Sequence, residues 1–289
     1  MQRIGTVLEL WRYPVKSMAG ETIDRTTLTR NGIPGDRVWA LRDEAAGEIR
    51  GAKKLPALLR CGARLMEEPQ GAGHSPAAEI TMPDGRRTRS DAPEAAALLR
   101  ELLGREVSLC PLRPADDLAH YRRGMPDDPD VLAELRQIFG REENEPLPDI
   151  TQFPPEIMEF TSPLGTYFDV FPLHLVTTSS LAELKRLAPP SDFDARRFRP
   201  NILVDSGEAA GFVENGWTGR RLRAGGATIR IEMPTVRCSM IAQPQAELQK
   251  DSAVLRTVVR DAEQNCGSYA VIVEEGELRK GDELFLLDD

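Results

Sequence analysis

Short β-prone runs separated by glycine and proline turns fill most of this sequence, and helical patterns are few. Strands are predicted over residues 4–11, 37–42, 173–176, 201–204, 220–223, 227–233, 269–273 and 283–287, with a hairpin over 78–89. Helices are predicted over residues 92–103, 131–139, 181–187 and 255–265. Because strands and helices do not alternate as in a Rossmann domain, the pattern predicts a mainly β fold of the α+β class, with a closed or rolled sheet.

The composition changes near residue 111. From there to residue 155, Asp, Pro, Glu and Arg dominate, apart from the helical pattern at 131–139. Such a stretch between two strand-rich regions is typical of a long surface connection, and we expect part of it to be packed. We therefore expect two domains, residues 1–112 and 113–289, with residues 113–155 as a connecting segment.

Charge and residue content argue against several classes of function. The net charge of -9 disfavours binding to nucleic acid or anionic membranes, and no apolar run has the length of a membrane span. The three histidines show no HExxH spacing and the four cysteines form no CxxC pair, so zinc sites of these kinds are not indicated. The N-terminus does not resemble a signal peptide, so we expect a cytoplasmic protein with free thiols.

Basic residues stand next to turn residues in four short segments. These are YPVKS at 13–17, GDR at 35–37, RRFRPN at 196–201 and PTVRC at 234–238. Arginine forks and lysine ammonium groups are the usual partners of phosphate and of planar polar rings. If the fold brings the segments together, they form an anion pocket in an otherwise acidic protein. Salt bridges to nearby surface acids are the simpler alternative on composition alone.

Cys238 is the cysteine in the most reactive setting. It follows a predicted strand and a proline turn, and Arg237 precedes it directly. A neighbouring cation favours the thiolate form of a cysteine, which binds metals, and a thiolate suits a soft metal better than magnesium or calcium. A buried structural cysteine is the commoner alternative. Cys61, Cys110 and Cys266 lack this setting.

In their order and spacing these segments resemble the MOSC family, named after the C-terminal domain of molybdenum cofactor sulfurase, with its usual N-terminal β-barrel domain in front. YPVKS with GDRVWAL at 35–41 resembles the signature of the N-terminal domain. RRFRPNILVD at 196–205, the Cys238 segment and GELRKGDELFLL at 276–287 resemble the MOSC domain. The resemblance covers nearly the whole chain and implies an N-terminal β-barrel-like domain followed by a MOSC β-barrel domain.

Similarity to the mitochondrial amidoxime-reducing component group also implies a cofactor, the molybdenum cofactor (molybdopterin), with a cysteine bound to the metal. By position, Cys238 is that catalytic ligand. The residues that match cofactor contacts are Lys16, Ser17, Arg37, Thr177, Thr178, Arg199, Asn201, Arg237 and Tyr269. The implied activity is reduction of small N-hydroxylated or related N–O substrates. Since no flavin, haem or iron–sulfur motif is visible, a separate ferredoxin-like or cytochrome-like protein with its reductase would supply the electrons.

One departure from the family pattern follows Cys238. Relatives often carry two threonines at the positions where this sequence has Ile241 and Ala242. Hydroxyls near the metal or substrate are therefore expected to be missing, which affects substrate chemistry more than cofactor binding. Two other functions stay open: a carrier of the cofactor or of sulfur that catalyses no turnover, and a β-barrel interaction domain in which Cys238 is structural.

Overall fold

β-Strands dominate the chain, as its sequence predicts. The computed structural model describes residues 1–71 and 73–288, and within them it has sixteen strands and seven α-helices. The strands are β1 (Gln2–Arg12), β2 (Glu21–Ile23), β3 (Arg25–Leu28), β4 (Trp39–Asp43), β5 (Glu48–Arg50), β6 (Gly62–Leu65), β7 (Ala78–Thr81), β8 (Arg87–Arg89), β9 (Val107–Pro111), β10 (Leu173–Thr177), β11 (Ile202–Asp205), β12 (Arg221–Ala224), β13 (Ala227–Val236), β14 (Asn265–Glu274), β15 (Gly276–Arg279) and β16 (Glu283–Leu286). The α-helices are α1 (Pro93–Leu103), α2 (Leu118–Tyr121), α3 (Val131–Phe139), α4 (Glu156–Glu159), α5 (Thr178–Leu187), α6 (Ala195–Phe198) and α7 (Ser252–Asp261).

Seven strands close into a barrel. Their order is β11-β10-β14-β13-β12-β16-β1, and β1 pairs with β11 to complete the ring. Neighbouring strands are antiparallel except β10 and β11, which run parallel and are connected through α5 and α6, as a parallel pair requires a crossover. Apolar side chains such as Leu10, Leu175, Ile202 and Ile229 fill the interior. The predicted closed sheet in an α+β fold is confirmed.

Strand β1 joins the two ends of the chain. It pairs with β11 between Thr6↔Asp205 and Leu10↔Ile202, and with β16 on its other side. The pairing brings the backbones so close at Gly5 that a Cβ there would lie 2.4 Å from the carbonyl oxygen of Asp205. The barrel is therefore built from both halves of the chain. The domain boundary at residue 112 stays a prediction. Strand β1 precedes that boundary but belongs to the barrel sheet.

Strand β2 pairs with β1 and β3 pairs with β15, whereas strands β4 to β9 form an N-terminal β-barrel-like domain. Two three-stranded sheets, β5-β4-β9 and β6-β7-β8, surround a second apolar core that includes Trp39, Leu58 and Ile80. Helix α1 lies against this core through Leu99 and ends at Gly104, whose φ of 62° gives the left-handed cap that glycine adopts most easily. The predicted hairpin is present as β7 and β8.

Part of the segment 113–155 packs against the second half of the chain. The hydroxyl of Ser239 donates to the carbonyl of Ile138 at 2.9 Å, and Nη2 of Arg141 donates to the carbonyl of Arg237 at 2.9 Å. Helix α3 has the bounds that the sequence predicts. The connecting segment therefore forms a wall beside Cys238.

Several predicted element boundaries were wrong, and three of these differences have a clear local cause. Strand β4 begins at Trp39 rather than at Arg37, whose φ of 51° is left-handed and outside the strand region. Helix α5 begins before residue 181 because Thr177 caps it, and α7 ends at Asp261 because Ala262, with φ -131° and ψ 30°, leaves the helical region. None of the helices in the described part of the chain combines the length and apolarity of a membrane span.

Candidate functional site

Three of the four basic segments meet around Tyr13. Its hydroxyl donates to the carbonyl of Pro200 at 3.0 Å, and its carbonyl accepts from the backbone N–H of Arg37 at 2.7 Å. The guanidinium carbons of Arg37 and Arg199 lie 5.3 and 4.2 Å from the centroid of the Tyr13 ring. Arg199 also donates through Nη1 to the carbonyl of Met18 at 2.6 Å. The first three parts of the predicted anion pocket are therefore in contact.

Arg237 joins the fourth segment to this group. Its Nη2 donates to the carbonyl of Phe198 at 2.7 Å, and its Nη1 lies 3.4 Å from Nε2 of His174. The backbone of His174 donates to Oδ1 of Asn201 at 3.2 Å and accepts from its N–H at 2.7 Å. The ring of Tyr269 lies 5.7 Å from that of His174. The sequence predicts Asn201, Arg237 and Tyr269 as site residues, and His174 connects the three of them.

Three of these residues have an uncommon backbone conformation. Among the described residues only six other than glycine have a positive φ, and Ser17 (73°), Arg37 (51°) and Arg199 (55°) are three of them. Left-handed backbone is disfavoured for L-residues and tends to occur where a site demands it. Ser17 is held there partly by its hydroxyl oxygen, which accepts from the N–H of Ala52 at 2.8 Å.

Lys16 and Asp169 form an ion pair beside this group. Nζ of Lys16 donates to the carbonyl of Tyr167 at 2.7 Å and to Oδ1 of Asp169 at 2.8 Å. Burial would raise the pKa of Asp169, but the charges of Lys16, Lys53 and Arg37 hold that pKa well below its usual range. The Asp169 side chain is nevertheless 42% exposed. A group that is both desolvated and reached by solvent belongs to a concave surface, or cleft.

Cys238 lines the same cleft. It is half-buried and packs against the apolar cluster of Ala52, Leu59 and Met240. It interacts electrostatically with Lys53, whose pKa is raised chiefly by Asp169, and with Tyr269, whose pKa burial raises to about 12. The cleft thus combines one thiol with several cations in a chain whose net charge is -9.

Two guanidinium nitrogens in this group are buried without an acceptor. Neither Nη2 of Arg199 nor Nε of Arg237 has a hydrogen-bond partner within residues 1–71 and 73–288. Burial also lowers the pKa of Arg199 to about 10. An unpaired buried donor costs about 1–3 kcal/mol, and more when it is charged. An anionic ligand would supply the missing acceptors.

Thr177 and Thr178 have their hydroxyls committed to other partners. Thr177 is fully buried, accepts from the backbone N–H of Ser180 as the cap of α5, and donates to Oε2 of Glu214 at 2.6 Å. The Thr178 hydroxyl lies 3.2 Å from Oγ of Ser206 and accepts from its N–H at 3.1 Å. The cofactor contacts of all the predicted site residues stay predictions, but the structure gathers the others around the cleft and commits these two hydroxyls to the fold.

Ile241 and Ala242 belong to the core. They are 1% and 7% exposed and pack in the apolar cluster that contains Val254, Leu255 and Val258 of α7. Polar side chains at these positions would have to enter that cluster. The two positions that often carry threonine in relatives are therefore part of the apolar core in this chain.

The other three cysteines do not stand beside an excess of cations. Burial raises the pKa of Cys61 to about 11 and also raises the pKa values of Cys110 and Cys266. Cys110 lines a separate cavity of about 460 Å³, in which Arg113 is paired with Asp117 at 3.5 Å. That cavity has no excess of charge comparable to the cleft.

Sequence reasoning missed four residues of the cleft: Lys53, Asp169, His174 and Arg141. Lys53 stands in a turn, Asp169 in a loop and Arg141 in the segment expected to be a surface connection. No spacing along the chain links these positions to Cys238, because the fold alone brings them together. Across the described residues, no three His, Cys, Asp or Glu side chains are grouped so that they could hold a metal ion by themselves.

Family models match most of the chain. The model of the MOSC domain matches residues 165–285, and the model of the MOSC N-terminal beta barrel domain matches residues 4–106. No curated protein matches the sequence significantly.

Several solved structures are distantly similar. The YuaD protein from Bacillus subtilis aligns over 97% of this chain and 93% of its own, with 11% identity and a TM-score of 0.46. YiiM from Escherichia coli aligns over 41% of this chain and 55% of its own, with 16% identity and a TM-score of 0.33. YiiM from Geobacillus stearothermophilus has the same coverage and identity, with a TM-score of 0.31. These similarities are too weak to support an argument about function.

Proposed function

The chain belongs to the MOSC family and carries that family's N-terminal β-barrel domain, and from this premise we propose that it is a molybdenum-cofactor-dependent oxidoreductase. MOSC domains connect it in general terms with the molybdenum cofactor. The finer proposal is that it reduces small N-hydroxylated or related N–O compounds at a molybdenum bound by Cys238, as a member of a group like the mitochondrial amidoxime-reducing component.

One observation carries the proposal: a thiol and an excess of cations share a cleft in which buried guanidinium N–H groups lack acceptors. Cys238 packs at the cleft beside Ala52, and Arg199 and Arg237 leave Nη2 and Nε unpaired. A phosphate and a planar polar ring are the groups that such forks bind best. A thiolate is a suitable ligand for a soft, high-valent metal. The residues present therefore fit an anionic pterin cofactor that carries molybdenum.

The chain's own residues would bind and orient this cofactor. Lys16 uses two of its three N–H groups on Tyr167 and Asp169, which leaves one for an anion. The Ser17 hydroxyl accepts from Ala52 and keeps its own proton for donation. Arg37 and Arg199 are clamped on Tyr13 and present their forks from a fixed position. When bound, the cofactor would supply a redox-active metal with its own sulfur ligands, so that one thiolate from the chain completes the set.

The proposed reaction consumes two electrons and two protons for each N–O bond broken, and releases water and the reduced nitrogen compound. The electrons would come from a separate ferredoxin-like or cytochrome-like protein with its reductase. Tyr269 interacts electrostatically with Cys238. Burial raises the pKa of Tyr269 to about 12, so its hydroxyl stays protonated at neutral pH. It can therefore donate a hydrogen bond to a polar substrate group at the cleft.

Metal analysis of purified protein tests the proposal. Protein made in a host that synthesises the cofactor should contain about one molybdenum per chain, together with a fluorescent pterin after oxidation. Cys238→Ala and Cys238→Ser should fold, judged by circular dichroism and unfolding, but lose benzamidoxime reduction with reduced benzyl viologen as electron donor. Cys110→Ser is the matched control, since Cys110 is also a half-buried free cysteine but lines the separate cavity.

Each other outcome contradicts a defined part of the proposal. Full activity of Cys238→Ala excludes Cys238 as the metal ligand. Wild-type protein that holds the cofactor but reduces no N–O compound contradicts the oxidoreductase and favours a carrier of the cofactor or of sulfur. Protein without molybdenum from a competent host contradicts cofactor binding altogether.

A further inference from the structure

Lys53 lies beside Cys238 on a tight turn. The carbonyl of Gly51 accepts from the N–H groups of Lys54 (3.0 Å) and Leu55 (2.9 Å), which closes the turn around Lys53. Ala52, the preceding residue, is 2% exposed and packs in one cluster with Met240 and Cys238. A Cβ on Gly51 would lie 2.7 Å from Oγ of Ser17, so the turn is pressed against the cleft. Lys53 is therefore held at the rim of the cleft next to the thiol.

Lys53 is an uncommitted cation. Its neighbour Lys54 is bonded to Asp127 at 3.0 Å and is also paired with Glu134, and Lys16 is bonded to Asp169. Lys53 is exposed, and within the described ranges 1–71 and 73–288 no hydrogen bond or ion pair involves it. An exposed lysine that has no bonded partner, while the lysines near it are paired, is available to bind a ligand.

The cleft has two regions with different charges around them. The groups that act most on Arg199 are Tyr13, Arg37 and Asp36. Those that act most on Lys53 are Asp169, Cys238 and Tyr269. Asp169 acts on both Arg199 and Lys53, so the two regions adjoin, and the packing of Ala52 with Cys238 places Lys53 on the side of the thiol. An anion held by Lys53 would lie where a substrate reaches Cys238.

An aromatic wall borders the Lys53 region. The ring of Tyr269 packs between Phe171, at 5.5 Å, and His174, at 5.7 Å. Tyr269 and Phe171 are only partly buried, so the wall has an accessible edge. Because flat apolar rings prefer to pack against other aromatic rings, this wall suits a planar ligand.

We propose that Lys53 binds the carboxylate of the substrate, and that this protein prefers planar N–O compounds that carry an anionic group. The inference rests on the proposed function and assigns its substrate class. Lys53 pairs with the carboxylate, the ring of the substrate packs along Tyr269, and the N–O group is directed to the Cys238 region. Asp169 acts most strongly on Lys53 and raises its pKa, which keeps the ammonium group charged for pairing with a carboxylate. Lys16 offsets the charge of Asp169, with which it is paired, and Arg123 adds positive charge nearby.

A pair of matched substrates tests this assignment in the cofactor-loaded protein. The measured quantity is the ratio of kcat/KM for 4-carboxybenzamidoxime to kcat/KM for benzamidoxime. Lys53→Gln should lower this ratio by roughly tenfold or more, because a charge-assisted hydrogen bond contributes at least that factor. Lys53→Arg should restore most of it. Lys54→Gln, next in the chain but paired with Asp127, should keep the wild-type ratio.

Binding and metal content give readouts that do not depend on turnover. Terephthalate, titrated calorimetrically into the wild type and Lys53→Gln, should bind the variant about tenfold more weakly. If neither substrate is reduced by the wild type, the proposed function fails, and the terephthalate comparison still decides the role of Lys53. Equal terephthalate binding by both proteins overturns the inference. So does a loss of molybdenum in Lys53→Gln, which would place Lys53 in the cofactor site, and so does a wild type without preference for the carboxylated substrate.

Discussion

Arg199 lies over the ring of Tyr13, with its guanidinium carbon 4.2 Å from the ring centroid, while the Tyr13 hydroxyl donates to the carbonyl of Pro200 at 3.0 Å. One tyrosine thus contacts both the side chain and the following backbone of the same barrel segment. Tyr13 itself is 2% exposed. The contact couples the N-terminal part of the cleft to the barrel through a single buried ring.

Replacing Tyr13 separates its two interactions. Tyr13→Phe keeps the ring under Arg199 but leaves the Pro200 carbonyl unpaired, so we expect the free energy of unfolding to fall by about 1 kcal/mol. Tyr13→Leu also removes the cation–π contact and leaves space, so a loss of about 2–4 kcal/mol is expected, with reduced molybdenum content. Urea unfolding and metal analysis measure both effects. Equal losses for the two variants would show that the ring does not hold Arg199.

Ile241 offers a test of the departure from the family pattern. In this chain its side chain packs against α7, so Ile241→Thr buries a hydroxyl in an apolar cluster. The matched control is Ile241→Val, which has nearly the shape of threonine and should cost about 1 kcal/mol. The threonine variant should lose a further 1–3 kcal/mol or so in urea unfolding, while molybdenum content stays at the wild-type level. A threonine variant as stable as the valine variant would place position 241 at a polar surface instead.

Local patterns in the sequence predict much of the fold. The hairpin at 78–89 and helix α3 follow from turn residues, caps and apolar spacing, all of which lie within a few residues of each other. Closure of the barrel depends on β1 pairing with β11, two strands nearly two hundred residues apart. Nothing in either strand specifies that partner, so the sequence predicts a closed sheet without predicting its strand order.

The candidate site, like the fold, can be predicted only in part from local sequence patterns. Lys16, Arg37, Arg199 and Cys238 stand in segments with recognisable turn chemistry, and the fold brings them together. Lys53 is one of two adjacent lysines, and its importance comes from Lys54 being paired with acids of the connecting segment. Such a distinction between neighbours depends on tertiary contacts and is absent from residue type or spacing.

Thr177→Val tests whether the Thr177 hydroxyl serves the fold or the cofactor. The hydroxyl donates to the fully buried Glu214 and caps α5, so its loss leaves a buried carboxylate with fewer donors. We expect the free energy of unfolding to fall by about 2–3 kcal/mol, with cofactor content unchanged in the folded protein. Ser206→Ala is a useful comparison, because it removes the hydroxyl beside Thr178 and leaves Glu214 intact. A Thr177 variant that is stable but free of molybdenum would support the predicted cofactor contact instead.

His174 should make stability depend on pH. Burial, and then the charge of Arg237, lower the pKa of His174 well below its usual value, so the native ring stays neutral. The unfolded chain takes up a proton at this residue below about pH 6.5, and the native state does not. The unfolded state then binds more protons, so the free energy of unfolding falls as the pH drops, by up to about 1.4 kcal/mol per pH unit for each such residue. His120 adds to the same trend, since burial chiefly lowers its pKa as well.

Urea unfolding of wild type, His174→Gln and His120→Gln at several pH values near and below that of free histidine measures this dependence. His174→Gln should reduce the slope of the unfolding free energy against pH by up to the contribution of one bound proton, whatever its effect on stability at neutral pH. His120→Gln should flatten the slope by less. His174 is only 4% exposed and contacts Arg237, whereas His120 is less deeply buried, so its pKa is lowered less strongly. A His174 variant that keeps the wild-type slope would mean that the native ring takes up a proton beside Arg237, and that the cleft holds more positive charge than its lysines and arginines provide.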